Sequence, residues 1–310
     1  MANKRTPEKI QRKINSLPLI DVKVFEMMRL LNSPDSNFEQ IVGKISPDLA
    51  ARFLNIANSA YYGTEVRSIK HAVRLLGYRE MKHILITSIL LDHFTERLEH
   101  FSFEKFQKQA QFCAAVSLVL GQIVAYDNLE DLFTVAILHN IGKLIIAVYF
   151  EEEHKEIIAL KEGESLTSSE AEKRILGLTH AEIGALVLER FNIPQDICEA
   201  VRFHDTDSRK IPQASNFQLE VISRESARIV GNFELPKDME PLEIQRKLKR
   251  TIAQGKKIYR DGLKMKIRSK GYKDSLPDLL KQAGRLVYEA LKEHLRERIS
   301  QEDDGLDVLR

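Results

Sequence analysis

"AILHNIGKL", residues 136–144, sets His139 beside Asn140 inside an apolar run that closes on Gly142-Lys143. The run extends in both directions as DLFTVAILHNIGKLIIAVYF, residues 131–150, and is too apolar to lie on a surface. It reads as the central helix of the fold. Elsewhere apolar residues recur at spacings of three and four almost throughout, and no long alternating run bounded by Gly or Asn turns interrupts them. The chain therefore reads as all-α.

Helix boundaries are well marked. Thr6-Pro7 places a capping residue before proline at the first helical position, Ser36-Asn37-Phe38-Glu39 is a capping box, and Ser46-Pro47-Asp48 repeats the first device. Leu17-Pro18, Asn32-Ser33-Pro34 and Ala60-Tyr61-Tyr62-Gly63 end short helices, and Ser68 caps a segment that stops at Gly77. Longer helices follow over 78–97 and 103–125, then a polar turn over 126–131. Amphipathic helices continue to Pro194 and on to His204, and a polar loop over 205–217 leaves the main body. A last helix near 276–299 carries Leu279, Leu280, Ala283, Leu286, Val287, Ala290, Leu291 and Leu295 at helical spacing. It should pack in cis or form the seam of a homodimer.

With 310 residues, 43% hydrophobic and 30% charged, the chain can bury one large core or two smaller ones and reads as water-soluble. No apolar stretch comes near the roughly 18 residues needed to cross a bilayer, so a cytoplasmic location is expected. Cys113 and Cys198 lie in apolar-periodic segments without a CxxC partner, as reduced buried thiols would. Tryptophan is absent and aromatics make up 7%, which argues against a stacking platform for single-stranded nucleic acid. Residues 246–273 hold twelve Lys or Arg and one acid, Asp261; since the chain is only +2 overall, the rest must carry −9. Lys249, Arg250, Lys256, Lys257, Arg260, Lys264, Lys266 and Arg268 are thus candidates for an anionic partner: nucleic acid, a membrane surface or an acidic protein. The plainer alternative is a solvated face balanced by the chain's own acidic body.

Several stretches in sequence order carry a family resemblance. "LNIANSAYYGTEVRSIKHAVRLLGYREMKHIL" (54–85), "AILHNIGKLII", "EAEKRILGLTHAEIGALVLERFNIP" and "EAVRFHD" together are similar to the HDOD domain, a bacterial signalling module related to the HD phosphohydrolases. The resemblance spans roughly residues 15–230. It implies an HDOD-type helical domain over 1–230, with an N-terminal helical subdomain over about 1–100 and an HD-like subdomain over about 101–230. Residues 231–310 then form a basic helical C-terminal extension outside the resemblance. The function it implies is that of a non-catalytic signal-transduction module acting on a protein partner supplied in trans.

An HD hydrolase gathers histidines and carboxylates around divalent ions, because imidazole supplies neutral donors while carboxylates balance the metal's charge and hold water. By the resemblance, His139, His180, His204 and Asp205 match positions where that pattern places polar ligands. Two departures stand against them. Asn140 replaces the aspartate of the pair, and FEKFQKQAQFCAAV offers Gln109 or Gln111 where an early histidine would fall. An amide oxygen brings no charge and cannot bridge two ions. The expectation is a vestigial site of His139, Asn140, His180, His204 and Asp205 with no cofactor. A residual divalent metal on His139, His180, His204 and Asp205, or weak phosphohydrolase activity, is the alternative.

Gly142-Lys143 lacks the glycine-rich loop of a phosphate-binding motif, so Lys143 receives no nucleotide role. His71, His83, His93 and His100 share no ligand spacing and read as surface or capping residues. Asn55, Asn58, Ser59, Tyr61 and Tyr62, ahead of Gly63, are candidates for a partner-binding groove, against a structural reading as helix-end hydrogen bonders.

Overall fold

The computed structural model describes residues 7–16, 102–190, 193–207, 214–233, 251–257 and 272–307, together with 42, 45, 50, 54, 67–71, 248, 259 and 260. Every regular element among them is helical. The HDOD-like fold class read from the sequence, all-α, is the one observed.

Ser102 starts the helix on which the others pack. Its hydroxyl accepts the Lys105 amide and caps α2, Phe103–Ile123, whose residues from Phe112 to Leu120 are all buried. A tight turn, with Ala125 at φ 53°, returns the chain into α3, Leu129–Leu138, which packs back along α2. The sequence suggested one helix over 131–150; the structure has two, because α3 stops and α4, Ile141–Tyr149, begins after His139-Asn140. The cause is local. His139 Nδ1 donates to Ala136 O at 2.6 Å, engaging the carbonyl that an unbroken helix would offer to the Asn140 amide.

A second reading needs correction. Asp131–Tyr149 is 19 residues long with mean hydropathy 1.7, so by length and composition it does reach what a bilayer crossing requires. The protein uses that apolarity internally, with 78% of the stretch buried among other helices.

The remaining helices surround this bent hairpin. α5 is Glu151–Glu164, followed by α6, Ser168–Leu176, which opens on a complete capping box between Thr167 and Glu170 and closes on Gly177 at φ 75°. A second reciprocal pair, Thr179 and Glu182, starts α7, His180–Arg190. α8 is Gln195–Phe203, and α9, Phe217–Gly231, is capped by Asn216. α7 lies against both α4 and α8, while α9 bridges α8, α3 and α2.

Both chain ends join this body. α1, Pro7–Ser16, packs on α7 through Ile10 and Ile14, both at 0% exposure. Arg190 Nη1 donates to Ile14 O, and Lys13 Nζ sits 4.3 Å from the centre of the Phe150 ring. At the other end α10, Tyr272–Asp307, lays Leu276, Leu279, Leu280, Ala283, Val287 and Leu291 onto α9 and α2, in cis. Each buried aliphatic side chain contributes roughly 1.5–3 kcal/mol of transfer free energy. Removing α10 would therefore strip a face worth as much as a domain's net stability. Cys113 and Cys198 are free and buried, and burial pushes both thiols up to about 12.

Candidate functional site: a buried histidine cluster

Two dipeptides of the same design end two helices. His139 closes α3 and His204 closes α8, each in αR geometry, and each ring folds back so that Nδ1 donates to the carbonyl three residues earlier: Ala136 O at 2.6 Å and Val201 O at 2.7 Å. His180 opens α7, and there both the backbone amide and Nδ1 donate to Glu172 Oε2, at 2.6 and 2.7 Å. All three rings are 5% exposed or less. They meet edge to face, with His139 and His204 centroids 5.0 Å apart and His180 and His204 centroids 5.2 Å apart.

A close helix crossing produces the convergence. A Cβ placed on Gly142 would stand 1.8 Å from His180 O and 2.8 Å from Gly184 N; one on Gly184 would stand 3.2 Å from Gly142 N. α4 and α7 thus touch backbone to backbone, which brings the turn bearing His139 against the turn bearing His180.

The carbonyl partners fix two tautomers: His139 and His204 each donate Nδ1–H to oxygen, so their Nε2 atoms present lone pairs, while His180 Nδ1 shares a proton with the Glu172 carboxyl. His139 Nε2 accepts from Asn140 Nδ2 at 2.8 Å, which leaves Asn140 Oδ1 buried with no hydrogen-bond partner among the described residues. His180 Nε2 and His204 Nε2 face one another at 3.3 Å.

Burial holds all three imidazoles well below their ordinary range. The charge of a neighbouring histidine acts second on His139 and His204, and the Lys143 ammonium acts second on His180. Burial likewise pushes the Glu172 carboxyl up to about 7, against the opposing pull of the His180 amide and Lys143. Lys143, partly buried one helical turn beyond His139, is itself lowered by burial, with Glu172 and Asp205 acting the other way.

The sequence-derived candidates separate. His139, Asn140, His180 and His204 come together. Asp205 is exposed and accepts from Ser169 at the start of α6. Gln109 and Gln111 lie partly buried on α2 and bond to none of the three rings. Glu172 was missed, although a glutamate between Ala171, Ile175 and Leu176 on the apolar face of α6 is the signal that could have found it. Lys143, which lacks a phosphate loop, proves to be a cation whose charge acts on His180 ahead of that of Lys161. His71 is a capping residue, its Nδ1 accepting the Arg67 amide at 3.3 Å. Asn55, Asn58, Ser59, Tyr61 and Tyr62 lie outside the described residues, as do His83, His93 and His100. Lys256, Lys257 and Arg260 are exposed, and the other basic candidates, Lys249, Arg250, Lys264, Lys266 and Arg268, are outside the described residues.

Among the described residues no three His, Cys, Asp or Glu side chains already stand arranged around one ion. Neutral Nε2 donors whose Nδ1–H groups are anchored by a carboxylate or a carbonyl are the form in which histidine binds metal. The cluster supplies at most the two facing imidazole nitrogens of His180 and His204, short of a group of three that could hold an ion. It does not fit a carboxylate-bridged pair, because Asn140 supplies no charge and Asp205 and Glu172 are engaged elsewhere.

Comparison with known proteins agrees with this architecture. An uncharacterized protein of Treponema pallidum (strain Nichols) is 26% identical over 204 residues, 63% of this chain and 39% of that protein, so the match spans well under half of the relative. Among solved structures, "Putative phosphohydrolase" from Shewanella amazonensis SB2B superposes with a TM-score of 0.61 at 23% identity, covering 90% of this chain and 97% of that one. An HDOD domain protein of unknown function from Geobacter sulfurreducens gives 0.59 at 18% identity, over 82% and 96%. At these identities the structures speak for the fold. The model of the HDOD domain matches residues 17–206, more than half of the sequence, and the chain belongs to the HDOD domain family.

Proposed function

We propose that this protein is a cytoplasmic signal-transduction module that works by binding a protein partner, and that its histidine cluster is a degenerate HD centre without catalytic turnover. The observation that carries the reading is the 2.8 Å bond from Asn140 Nδ2 to His139 Nε2. An amide now occupies the lone pair that a hydrolase would present to metal, at the position where the HD pattern has its carboxylate. Asp205 accepts from Ser169 and Glu172 from His180, so both of these carboxyl groups already hold hydrogen bonds away from His139.

The test is direct. Ion-stripped protein supplied with Mn²⁺ and a chromogenic phosphodiester should show no turnover above the metal-only rate. Turnover that disappears in His139→Ala would overturn the reading and favour a phosphohydrolase. The partner is sought by pull-down from the source cell with the full chain, because deleting residues beyond about 240 would remove core-forming α10.

A nucleic-acid-associated role through the basic extension is the second reading. It is favoured by one arrangement: Leu248, Thr251 and Gly255 are buried, Gly255 against Ile123, while Lys256, Lys257 and Arg260 stay exposed. Binding to DNA or RNA that weakens steeply with salt, and is lost on reversing those three charges, would support it. Absence of binding at low salt would end it.

A further inference from the structure

A short basic helix is held to the body by one face and open to solvent on the other. Residues 251–257, 259 and 260 are helical, and the Ile252 amide donates to Leu248 O at 2.9 Å. Leu248, Thr251 and Gly255 are buried, and Ile252 and Tyr259 pack against the core. These positions recur at helical spacing, so the core takes a single face. Gly255 sets how close that face lies: a Cβ there would stand 2.6 Å from Ile123 Cδ1 and 2.8 Å from Ile123 Cγ1, at the end of α2. Ala253, Lys256, Lys257 and Arg260, spaced i, i+3, i+4 and i+7, are all exposed and make up the opposite stripe. Residues 246–273 hold twelve cations against the single acid Asp261, so the segment cannot neutralise itself.

The same packing decides among anionic partners. A membrane-surface helix inserts apolar side chains between its cations, and here Leu248 and Ile252 are turned into the core. Single strands are held by stacking on exposed aromatic rings, and Tyr259 lies on the core side. A protein partner is gripped at an apolar or aromatic anchor, whereas the open stripe offers only Ala253 between its charges. A rigid row of cations matches a rigid polyanion, and duplex DNA presents one negative charge per about 1.7 Å of axis. We infer that the face of Lys256, Lys257 and Arg260 is a docking surface for the phosphate backbone of double-stranded DNA, bound without regard to base sequence. Lysine acts as a point charge, and contacts to phosphate place a protein on a duplex without reading its bases. The inference rests on the nucleic-acid reading above and narrows it to a duplex held by its backbone.

The experiment measures fluorescence anisotropy of the full chain with fluorescein-labelled duplexes of about 20 base pairs, two helical turns, in two unrelated sequences. Three phosphate contacts give a slope of about −2.7 in log affinity against log salt, an affinity loss of about 40-fold between about 50 and 200 mM, and further cations of residues 246–273 steepen it. Lys256→Ala, Lys257→Ala and Arg260→Ala should each make the slope shallower by about 0.9, which removes about 3.5-fold of that loss. Arg12→Ala, exposed on α1, should leave it unchanged, with circular dichroism confirming helix in every variant. The inference falls if the two duplexes differ by more than about tenfold in affinity. It falls equally if the single strand, phosphatidylserine vesicles or polyglutamate binds as tightly as the duplex, or if Arg12→Ala flattens the slope as much as the three. Those results leave a broader anionic role standing, whereas binding to no nucleic acid at low salt refutes this inference and the nucleic-acid reading together.

Discussion

Among the described glycines, Gly142→Ala should be the most damaging change. The added Cβ would lie 1.8 Å from His180 O, 2.7 Å from His180 C and 2.8 Å from Gly184 N. All three are backbone atoms, so no side chain can rotate away. Ordinary contact needs more than 3 Å, and α4 and α7 would have to part by more than an ångström along much of their crossing. Overpacking a filled core costs about 1–3 kcal/mol and occasionally more, and the gain from replacing a helical glycine, about 1 kcal/mol, only partly offsets it. With the overpacking cost at the upper end of that range because the clash is with backbone, a net loss of about 2 kcal/mol is expected in urea denaturation, as a lower midpoint with unchanged slope. Because the shift also separates His139 from His180, the imidazole resonances of both rings should move. Gly163→Ala in α5 is the control: its Cβ meets nothing within 4 Å, so that change should be neutral or stabilising. Wild-type stability in Gly142→Ala, or a Gly163→Ala loss of the same size, would refute the account of how the site is assembled.

Three further outcomes follow from the same geometry. Burial disfavours the charged form of the three histidines in the folded state, so they take up protons more readily when unfolded, whereas Glu172, pushed up to about 7, binds its proton preferentially in the folded state; as pH falls through about 6.5 the histidines make unfolding a net uptake of protons, which Glu172 partly offsets. Stability should therefore fall on acidification below about pH 6.5, and Glu172→Gln should make that fall steeper, as pH-dependent denaturation would measure. Ile14→Ala should cost roughly 2–5 kcal/mol because Ile14 is wholly buried against α7, and an exposed-site cost below 0.5 kcal/mol in urea denaturation would show that α1 is not docked. Thr167→Ala removes the hydroxyl half of a capping box and leaves the Thr167 N–H bond to Glu170 in place, and should cost about 1 kcal/mol, read as a lower thermal midpoint.

The fold class and many helix ends were legible because they are local. The helix start at Pro7 and the long run of leucines after residue 276 each act through neighbours in sequence, and both elements lie where the pattern places them. The break at His139-Asn140 was not legible, since its apolar surroundings favour continuation and only the ring's turn back to Ala136 O ends the helix. The destination of α1 was not legible either, because a stripe of two isoleucines says that a partner exists without saying which. Glu172 was hidden for a related reason: a glutamate in an amphipathic helix reads as solvated until the helix is docked and its carboxylate is found under His180.

Asn140 shows how far one residue can carry a functional argument. From sequence it signals a missing charge, and a missing charge alone leaves open whether metal binding weakens or disappears. The structure adds that the amide does something in its place: it donates to His139 Nε2 and so withdraws one imidazole from the set while leaving the other two facing each other. Loss of the carboxylate and rearrangement of the donors are then one event. What remains is a buried pair of facing imidazole nitrogens, with a neutral amide where the HD pattern has its carboxylate.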